Sequence, residues 1–231
     1  MPRTHGIEVA VFDVLGTMVD QPGGLRAAIR AAVPASDATS ADRLLAVWEE
    51  HVEREQRRIE DGERPYADSA ALDREAAARV AERVGLTDPA AVRRLATASQ
   101  RLDPWEDSRA GLSGLARLFP VMGLSHASRA TLLRLNAHTG LRWHQALSAE
   151  DARAFKPAKE VYQLALDAAG CPPERVVMIA AHAWDLRGAQ AVGMRTAYVH
   201  RPGGDPPKET DAFDWRADGL EELAAALAPA A

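Results

Sequence analysis

Two hydrophobic patterns follow one another along the chain, and each predicts a different kind of structure. Residues 7–12 are mainly apolar and β-branched, and they lead to Asp13 and then to a turn at Gly16. Such a run predicts a buried strand that delivers the Asp13 carboxylate to its carboxyl end. Between residues 20 and 104, apolar positions recur at helical spacing instead, with charged residues on the remaining faces. We therefore expect helices and no strand in that segment.

Proline, glycine and aspartate residues predict where those helices begin and end. Residues 21–24 hold a proline and two glycines and predict a break, after which a helix is predicted around residues 44–59. Asp68 is placed to cap a second helix, which Gly85 ends. An Asp-Pro pair begins a third helix over residues 89–102.

After Trp105, strands and helices alternate to the end of the chain. The predicted strands are residues 120–124, 146–148, 175–181 and 196–199, with a short edge at 214–215. This alternation predicts an α/β fold with a doubly wound parallel sheet. The all-helical segment after the first strand predicts a cap placed over the sheet. We expect a core domain of residues 1–19 and 105–231 and a helical cap domain of residues 20–104.

The amino-acid composition argues against several classes of protein. The chain has 231 residues, 47% of them hydrophobic, and a net charge of -5 without an unmatched basic cluster, which argues against nucleic-acid binding. The single cysteine, Cys171, excludes an internal disulfide and a cysteine-built metal site. No apolar run approaches about 20 residues, and residues 1–6 lack the core of a secretory signal. We expect a soluble, cytoplasmic protein with no membrane or nucleic-acid partner.

Several predicted strands end in a polar residue whose side chain can take part in catalysis. Asp13 and Ser125 end two strands, His182 and Asp185 follow a third, and Lys156 lies in a loop that returns to the same edge. In a doubly wound sheet these ends converge on one crevice.

These residue types suit a nucleophilic reaction in two steps. A buried carboxylate beside an ammonium group stays charged, so Asp13 next to Lys156 can act as a nucleophile at neutral pH. The hydroxyls of Thr17 and Ser125 can orient the carboxylate or a substrate. Asp185 can serve as a base toward water once the first carboxylate has become an ester.

Each of these residues also has a purely structural interpretation. Asp13 and Ser125 can cap turns, and Lys156 can be a solvated loop lysine. His182 can be a structural histidine, and Asp185 can place a negative charge at a helix N-terminus. Their order along the chain and their placement at strand ends favour the chemical interpretation.

Four segments together resemble the motifs of the haloacid dehalogenase superfamily, and within it the type II L-2-haloacid dehalogenases. They are Phe12-Asp13-Val14-Leu15-Gly16-Thr17, Leu124-Ser125, Phe155-Lys156-Pro157 with Tyr162, and residues 180–189 around His182 and Asp185. Residues 101–105 and 194–202 are also similar. The resemblance implies a Rossmann-like core with a helical cap, a small 2-haloacid substrate, no metal or organic cofactor, and assembly as a homodimer.

The resemblance also implies a role for each position. Asp13 would displace halide from the substrate α-carbon, forming an ester that water then hydrolyses. Lys156 would keep Asp13 ionised, and Asp185 would assist the water. The remaining site residues would bind carboxylate oxygens (Thr17, Ser125), shape the pocket (Tyr162, Trp184) or contact the substrate (Leu15, His126, His182).

Some positions depart from the patterns of this superfamily. Its phosphatases carry an acid two residues after the nucleophile, where this chain has Leu15, which cannot protonate a leaving group. The dehalogenases place a halide-binding arginine after a cap tryptophan, where Glu49 follows Trp48 here, and an asparagine where this chain has His126. In the fourth motif, His182 replaces another asparagine.

These departures leave three functions open: a dehalogenase, a magnesium-dependent phosphatase and a non-catalytic binding protein. For the dehalogenase, Arg54, Arg57 and Arg58 are candidates for the missing cation.

Overall fold

A six-stranded parallel sheet forms the centre of the molecule. The computed structural model describes residues 6–33 and 38–228, so residues 1–5, 34–37 and 229–231 of the predicted domains lie outside the described residues. The strands are β1 (Val9–Asp13), β2 (Val121–Ser125), β3 (Gln145–Ser148), β4 (Val176–Ala180), β5 (Arg195–Val199) and β6 (Trp215–Ala217). Their order in the sheet is β3-β2-β1-β4-β5-β6, and all pairs are parallel. The predicted α/β fold is confirmed.

Helices cover both faces of the sheet and also form a separate group. The first four are α1 (Gln21–Ala32), α2 (Ala38–Glu60), α3 (Ser69–Val84) and α4 (Pro89–Ala96). The others are α5 (Ser108–Leu115), α6 (Arg129–Thr139), α7 (Lys159–Ala169), α8 (Ala183–Ala191) and α9 (Leu220–Leu227). Alternate residues of β1 point to opposite layers, because successive side chains of a strand leave on opposite faces. Phe12 packs in the layer of α5, α6 and α9, and Val11 packs in the layer of α7 and α8.

The sheet register brings the chemically useful strand ends to one edge. β1, β2 and β4 are buried along their whole length, as expected for central strands with continuous apolar runs. Asp13 pairs with Leu124 of β2, and Phe12 pairs with Ile179 of β4. Asp13, Ser125 and Ala180 therefore end their strands next to one another.

The helices between β1 and β2 share an apolar cluster of their own. Its buried members include Leu25 and Ile29 of α1, Trp48 of α2, Val80 of α3 and Leu95 of α4. This cluster supports the division of the chain into a core and a helical cap, which stays a prediction.

The predicted break at residues 21–24 is wrong, because α1 begins there. The Asp20 side chain accepts a hydrogen bond from Gly23 N at 2.9 Å and caps the helix. Pro22 lies in the first turn, where its missing N–H removes no helical hydrogen bond. The third predicted helix also ends earlier, since α4 stops at Ala96 and a 3-10 helix spans Ala98–Arg101.

The contact between α7 and α8 depends on a glycine. The Tyr162 hydroxyl occupies the place that a Cβ on Gly188 would fill, and both residues are buried. We expect Gly188→Ala to lower the free energy of unfolding by about 1–3 kcal/mol, because neither helix has room to move. Gly114→Ala in α5 is the matched control, since its Cβ would meet only Arg117 and Ala224, at 3.7 and 4.0 Å. Urea denaturation measures both, and equal stability of the two variants would contradict the tight packing.

Candidate active site

Asp13 lies at the carboxyl end of β1, and both of its carboxylate oxygens are bonded to protein groups. The Lys156 ammonium donates to Oδ1 at 3.0 Å, and the Thr17 hydroxyl donates to Oδ2 at 2.7 Å. His182 Nδ1 lies 3.2 Å from the same Oδ2. The Asp13 side chain is 9% exposed. This buried carboxylate therefore accepts hydrogen bonds from three separate parts of the chain.

Lys156 lies between two carboxylates. Its Nζ is 3.0 Å from Asp13 Oδ1 and 2.7 Å from Asp185 Oδ2, and the side chain is 1% exposed. The Tyr162 hydroxyl donates to the other oxygen of Asp185 at 2.8 Å. Asp185 has no exposed surface, and both of its oxygens have protein partners. These contacts are typical of a residue that holds the Lys156 side chain in place.

Burial and charge act in opposite directions on these groups. Burial alone would raise the pKa of Asp13, but the Lys156 ammonium and the His182 hydrogen bond outweigh it and hold the pKa well below its usual range. Burial would lower the pKa of Lys156, yet the carboxylates of Asp13 and Asp185 raise it. Asp13 and Lys156 are therefore charged at neutral pH.

The turn after β1 is held by groups from distant segments. The Thr17 hydroxyl accepts from Ala181 N at 2.9 Å while it donates to Asp13. Trp105 Nε1 donates to the Gly16 carbonyl at 3.0 Å, and Arg201 Nε donates to the Thr17 carbonyl at 2.9 Å. Neither Trp105 nor Arg201 was expected to have a role, although both lie in segments that resemble the family pattern.

His126 and Ser125, at the end of β2, have their own partners. Lys156 N donates to His126 Nε2 at 2.7 Å, which leaves the ring proton on Nδ1. Burial and the Lys156 charge lower the pKa of His126 to about 3, so this ring is neutral. The Ser125 hydroxyl is fully buried and accepts from Ala127 N at 3.0 Å.

A cavity of about 380 Å³ opens above Asp13, between the sheet edge and the helices α1, α2 and α3. Five of the predicted site residues line it: Asp13, Leu15, His126, His182 and Trp184. The other five are absent from its lining: Thr17, Ser125, Lys156, Tyr162 and Asp185. The site thus has an inner layer that faces the cavity and an outer layer that supports it.

Two of the predicted contacts need correction. Thr17 donates to an Asp13 carboxylate oxygen, which is one of the roles expected of it, whereas the buried Ser125 hydroxyl accepts from Ala127 N instead of binding a carboxylate oxygen. Tyr162 was expected to shape the pocket, yet it is fully buried behind Asp185. The two oxygens of Asp185 accept from Lys156 and Tyr162, and its expected role of assisting a water stays a prediction.

The cavity wall formed by α2 and α3 is acidic, and we call it the acidic wall. Glu49 and Glu53 of α2 and Asp73 of α3 line it, and none of its described lining residues is lysine or arginine. Burial and the neighbouring Glu53 raise the pKa of Glu49, and burial raises the pKa of Asp73 to about 7. Glu53 and Asp73 were not identified from the sequence, because a helical pattern does not tell which polar residues face a ligand.

The arginines expected to supply a cation do not line the cavity. Arg54 Nε and Arg58 Nη1 pair with the buried Glu55, at 3.2 and 3.0 Å. Arg57 is exposed and is also absent from the lining. Their prediction as halide ligands is therefore wrong.

Within the described part of the chain, no group of three or more His, Cys, Asp or Glu side chains is arranged to hold a metal ion. No helix among residues 6–33 and 38–228 is long and apolar enough to cross a membrane.

The chain is similar in sequence and in fold to known proteins. The (S)-2-haloacid dehalogenase H-109 of Pseudomonas putida is 28% identical over 201 residues, which are 85% of this chain and 87% of that protein. The crystal structure of the L-2-haloacid dehalogenase PA0810 superposes with a TM-score of 0.87 at 29% identity, covering 96% of this chain and 99% of that one.

A second solved structure shows a relative with a covalently bound acid. It is the L-2-haloacid dehalogenase from Xanthobacter autotrophicus with chloropropionic acid covalently bound, which superposes with a TM-score of 0.81 at 26% identity. The superposition covers 95% of this chain and 97% of that one. The family model for haloacid dehalogenase-like hydrolases matches residues 7–193. The chain therefore belongs to the haloacid dehalogenase-like hydrolases.

Proposed function

We propose that this protein is a 2-haloacid dehalogenase that releases halide and a 2-hydroxy acid through an ester on Asp13. The observation that carries the proposal is the Asp13 carboxylate itself, which faces the cavity and is kept ionised by Lys156 at 3.0 Å. The relative from Xanthobacter autotrophicus with chloropropionic acid covalently bound supports the same chemistry here.

The first step is a displacement at carbon. Oδ2 of Asp13 lies on the side of His182, which lines the cavity, whereas Oδ1 points to the buried ammonium of Lys156. We therefore assign Oδ2 as the attacking atom. It bonds to the substrate α-carbon as the carbon-halogen bond breaks, and the halide leaves with the bonding electrons. This step needs an ionised carboxylate and no proton donor.

The second step is hydrolysis of the ester. Water attacks the carboxyl carbon of Asp13, and negative charge develops on Oδ1. The Lys156 ammonium already lies 3.0 Å from that oxygen and stabilises the charge. The bond from the carboxyl carbon to Oδ2 then breaks, and Oδ2 takes up one proton of the attacking water and leaves as the hydroxyl of the product. The other proton of that water passes to solvent, so Asp13 is again a carboxylate.

A phosphatase fits the residues less well. Release of an alcohol from a phosphate ester needs a proton, and the cavity-lining residue two positions after Asp13 is Leu15. The positive charge beside Asp13 is the ammonium of Lys156, which also occupies the space next to Asp185. Both features favour displacement of a halide.

The carboxylates of the acidic wall affect which 2-haloacid can enter the cavity. Glu49 and Glu53 oppose the entry of a small anion. The polar donors of the cavity include the imidazole of His182, the neutral ring of His126 and the indole of Trp184. We propose a small-molecule substrate that these donors bind. Assembly as a homodimer and a cytoplasmic location stay predictions.

Removal of the nucleophile tests the proposal. In Asp13→Asn, halide release from 2-chloropropionate should fall at least about 1,000-fold, because the neutral amide cannot displace halide. Asp167→Asn, which changes an exposed carboxylate of α7, is the matched control and should keep wild-type activity. Halide release followed with an ion-selective electrode measures both, and retained activity in Asp13→Asn would refute an Asp13 ester.

Lys156→Met tests how the nucleophile stays ionised. Without the ammonium, burial raises the pKa of Asp13, so the ionised fraction falls as the pH is lowered. The halide burst is the rapid first release of halide, before the ester is hydrolysed. In the variant, the rate of this burst should be at least about 100-fold lower at pH 7 and should rise with pH. In the wild type, the rate should be constant from about pH 4 to 8.

Two controls accompany this variant. Lys159→Met changes an exposed lysine and should behave like the wild type. Because loss of one partner of a buried ion pair costs about 3–5 kcal/mol, circular dichroism must show that Lys156→Met is folded. A folded variant with a burst as fast and as flat as the wild type would contradict the role of Lys156.

The charge of the cavity wall can be reversed at one position. We expect Glu49→Arg to raise kcat/KM for 2-chloropropionate about tenfold, because the wall then attracts an anion. The neutral 2-chloropropionamide should show no such gain. Glu50→Arg makes the same charge change on an exposed residue of α2 outside the cavity lining. An equal gain in both variants would show that overall charge, rather than the wall, controls entry.

A further inference from the structure

The cavity above Asp13 is larger than a simple 2-haloacid requires. Its volume of about 380 Å³ is in the size range of cavities that hold drug-sized ligands, about 300–1,000 Å³, whereas 2-chloropropionate is a three-carbon acid. Asp73 of α3 lines the same cavity, and the charges that act on it come from Asp68 and Arg74 on its own helix rather than from the groups around Asp13. A substrate that reacts at Asp13 therefore has room for a longer side chain.

Asp73 is an acidic group of this cavity without a cationic partner. It is half-buried, and its carboxyl is hydrogen-bonded to the buried hydroxyl of Ser99, which lines the cavity beside it. Among the residues that the structure describes, no ion pair includes Asp73. By contrast, the buried carboxylate of Glu55 on α2 accepts from Arg64 at 2.7 Å. The protein thus leaves Asp73 without a counter-ion inside a cavity.

The surrounding wall also suits a cation. Glu49 and Glu53 line the exposed edge of the cavity, and within residues 6–33 and 38–228 neither carboxylate forms a hydrogen bond or an ion pair. The indole rings of Trp48 and Trp184 line the cavity as well, and the faces of such rings attract cations. Unpaired carboxylates and aromatic rings together are the groups that bind an organic cation.

A cationic side chain on the substrate would remove the conflict between the acidic wall and a 2-haloacid. A 2-haloacid is an anion, which Glu49 and Glu53 repel, but with one positive charge on its side chain the molecule has no net charge. Its carboxylate and halogen can then lie with the donors near Asp13 while its cationic end pairs with Asp73. Burial of that pair also relieves the cost of an unpaired carboxylate at Asp73.

We propose, on the basis of the proposed dehalogenase function, that the substrate is a 2-haloacid whose side chain ends in a cation, and that Asp73 with Ser99 binds this cation. Asp73 is then a specificity-determining residue that takes no part in displacement or hydrolysis. Water replaces the halogen as before, with release of one halide and one proton, and the product is a 2-hydroxy acid that keeps its cationic side chain.

Two racemic chloroacids of nearly the same shape test the proposal. 2-Chloro-5-guanidinopentanoate carries a guanidinium, which pairs with a carboxylate through two N–H groups, and 2-chloro-5-ureidopentanoate is its neutral counterpart. In the wild type, we expect kcat/KM for the guanidino acid to exceed that for the ureido acid at least about tenfold at pH 8. Asp73→Asn should lower this ratio about tenfold, because the amide has no charge. Halide release, corrected for an enzyme-free blank, measures both rates.

The matched control is Glu82→Gln, which removes an exposed carboxylate farther along α3 and outside the cavity lining. This variant should keep the wild-type ratio. Because each ratio compares two substrates on one protein, a general loss of activity in Asp73→Asn cancels.

The pH dependence of the ratio supplies a second readout. Burial raises the pKa of Asp73 to about 7, so its carboxyl is mostly protonated at about pH 5 and ionised at about pH 8, whereas the guanidinium stays charged. The wild-type ratio should therefore rise over this range and then level off, and in Asp73→Asn it should stay constant. The other charged or titratable groups that face Asp73 or its cavity act on both substrates: Asp68 and Arg74 along α3, Glu49 and Glu53 on α2, and Asp13, His126 and His182 at the sheet edge.

The outcomes separate this proposal from the dehalogenase function. A wild-type ratio near one, or a ratio that Asp73→Asn leaves unchanged, would overturn the cation site while halide release still supports a dehalogenase. If Asp73→Asn does not fold, a wild-type ratio that rises between about pH 5 and 8 supports the proposal, and a constant ratio overturns it. No halide release from either chloroacid or from 2-chloropropionate would instead refute the dehalogenase function itself.

Discussion

The ammonium group of Lys156 lies between two buried carboxylates, and the rest of the site depends on this placement. A carboxylate as buried as Asp13 would take up a proton if it had no charged partner. The Lys156 Nζ at 3.0 Å from Asp13 prevents this, and Asp185 at 2.7 Å keeps the lysine charged in turn. The protein itself thus supplies the positive charge that its nucleophile needs. The same charge is placed to stabilise the oxyanion when the ester is hydrolysed.

The parallel sheet is the reason that these groups meet. Asp13 ends β1, Asp185 begins α8 after the neighbouring β4, and Lys156 comes from the loop before α7. Around them, Tyr162 anchors Asp185, and Arg201 anchors the turn after β1. The reactive carboxylate is therefore positioned by residues that do not line the cavity, so a substitution in this outer layer acts on the chemistry through the position of Asp13.

Sequence patterns predicted the sheet and the convergence of its strand ends, because both follow from periodicity and from the rules of parallel topology. They could not tell which residues face the cavity, because the direction of a side chain at a strand end depends on its packing partners. Tyr162 and Asp185 illustrate this, since both match family positions yet neither lines the cavity. Gln21 to Gly24 illustrate another limit, since glycines next to a proline suggest a break unless the Asp20 cap is recognised. The acidic wall depends on how α2 and α3 pack over the sheet, and no local pattern encodes that.

The cavity combines a charged nucleophile with an imidazole, His182, whose protonation is tied to the charge of Asp13. All of this rests on the formation of a bond between Asp13 and the substrate. A single turnover with excess enzyme in ¹⁸O-water, followed by mass spectrometry of the peptide that contains Asp13, tests that bond most directly. We expect the heavy oxygen in the Asp13 carboxylate and unlabelled oxygen in the hydroxyl of the product. Label in the product hydroxyl with none in the peptide would contradict an ester on Asp13.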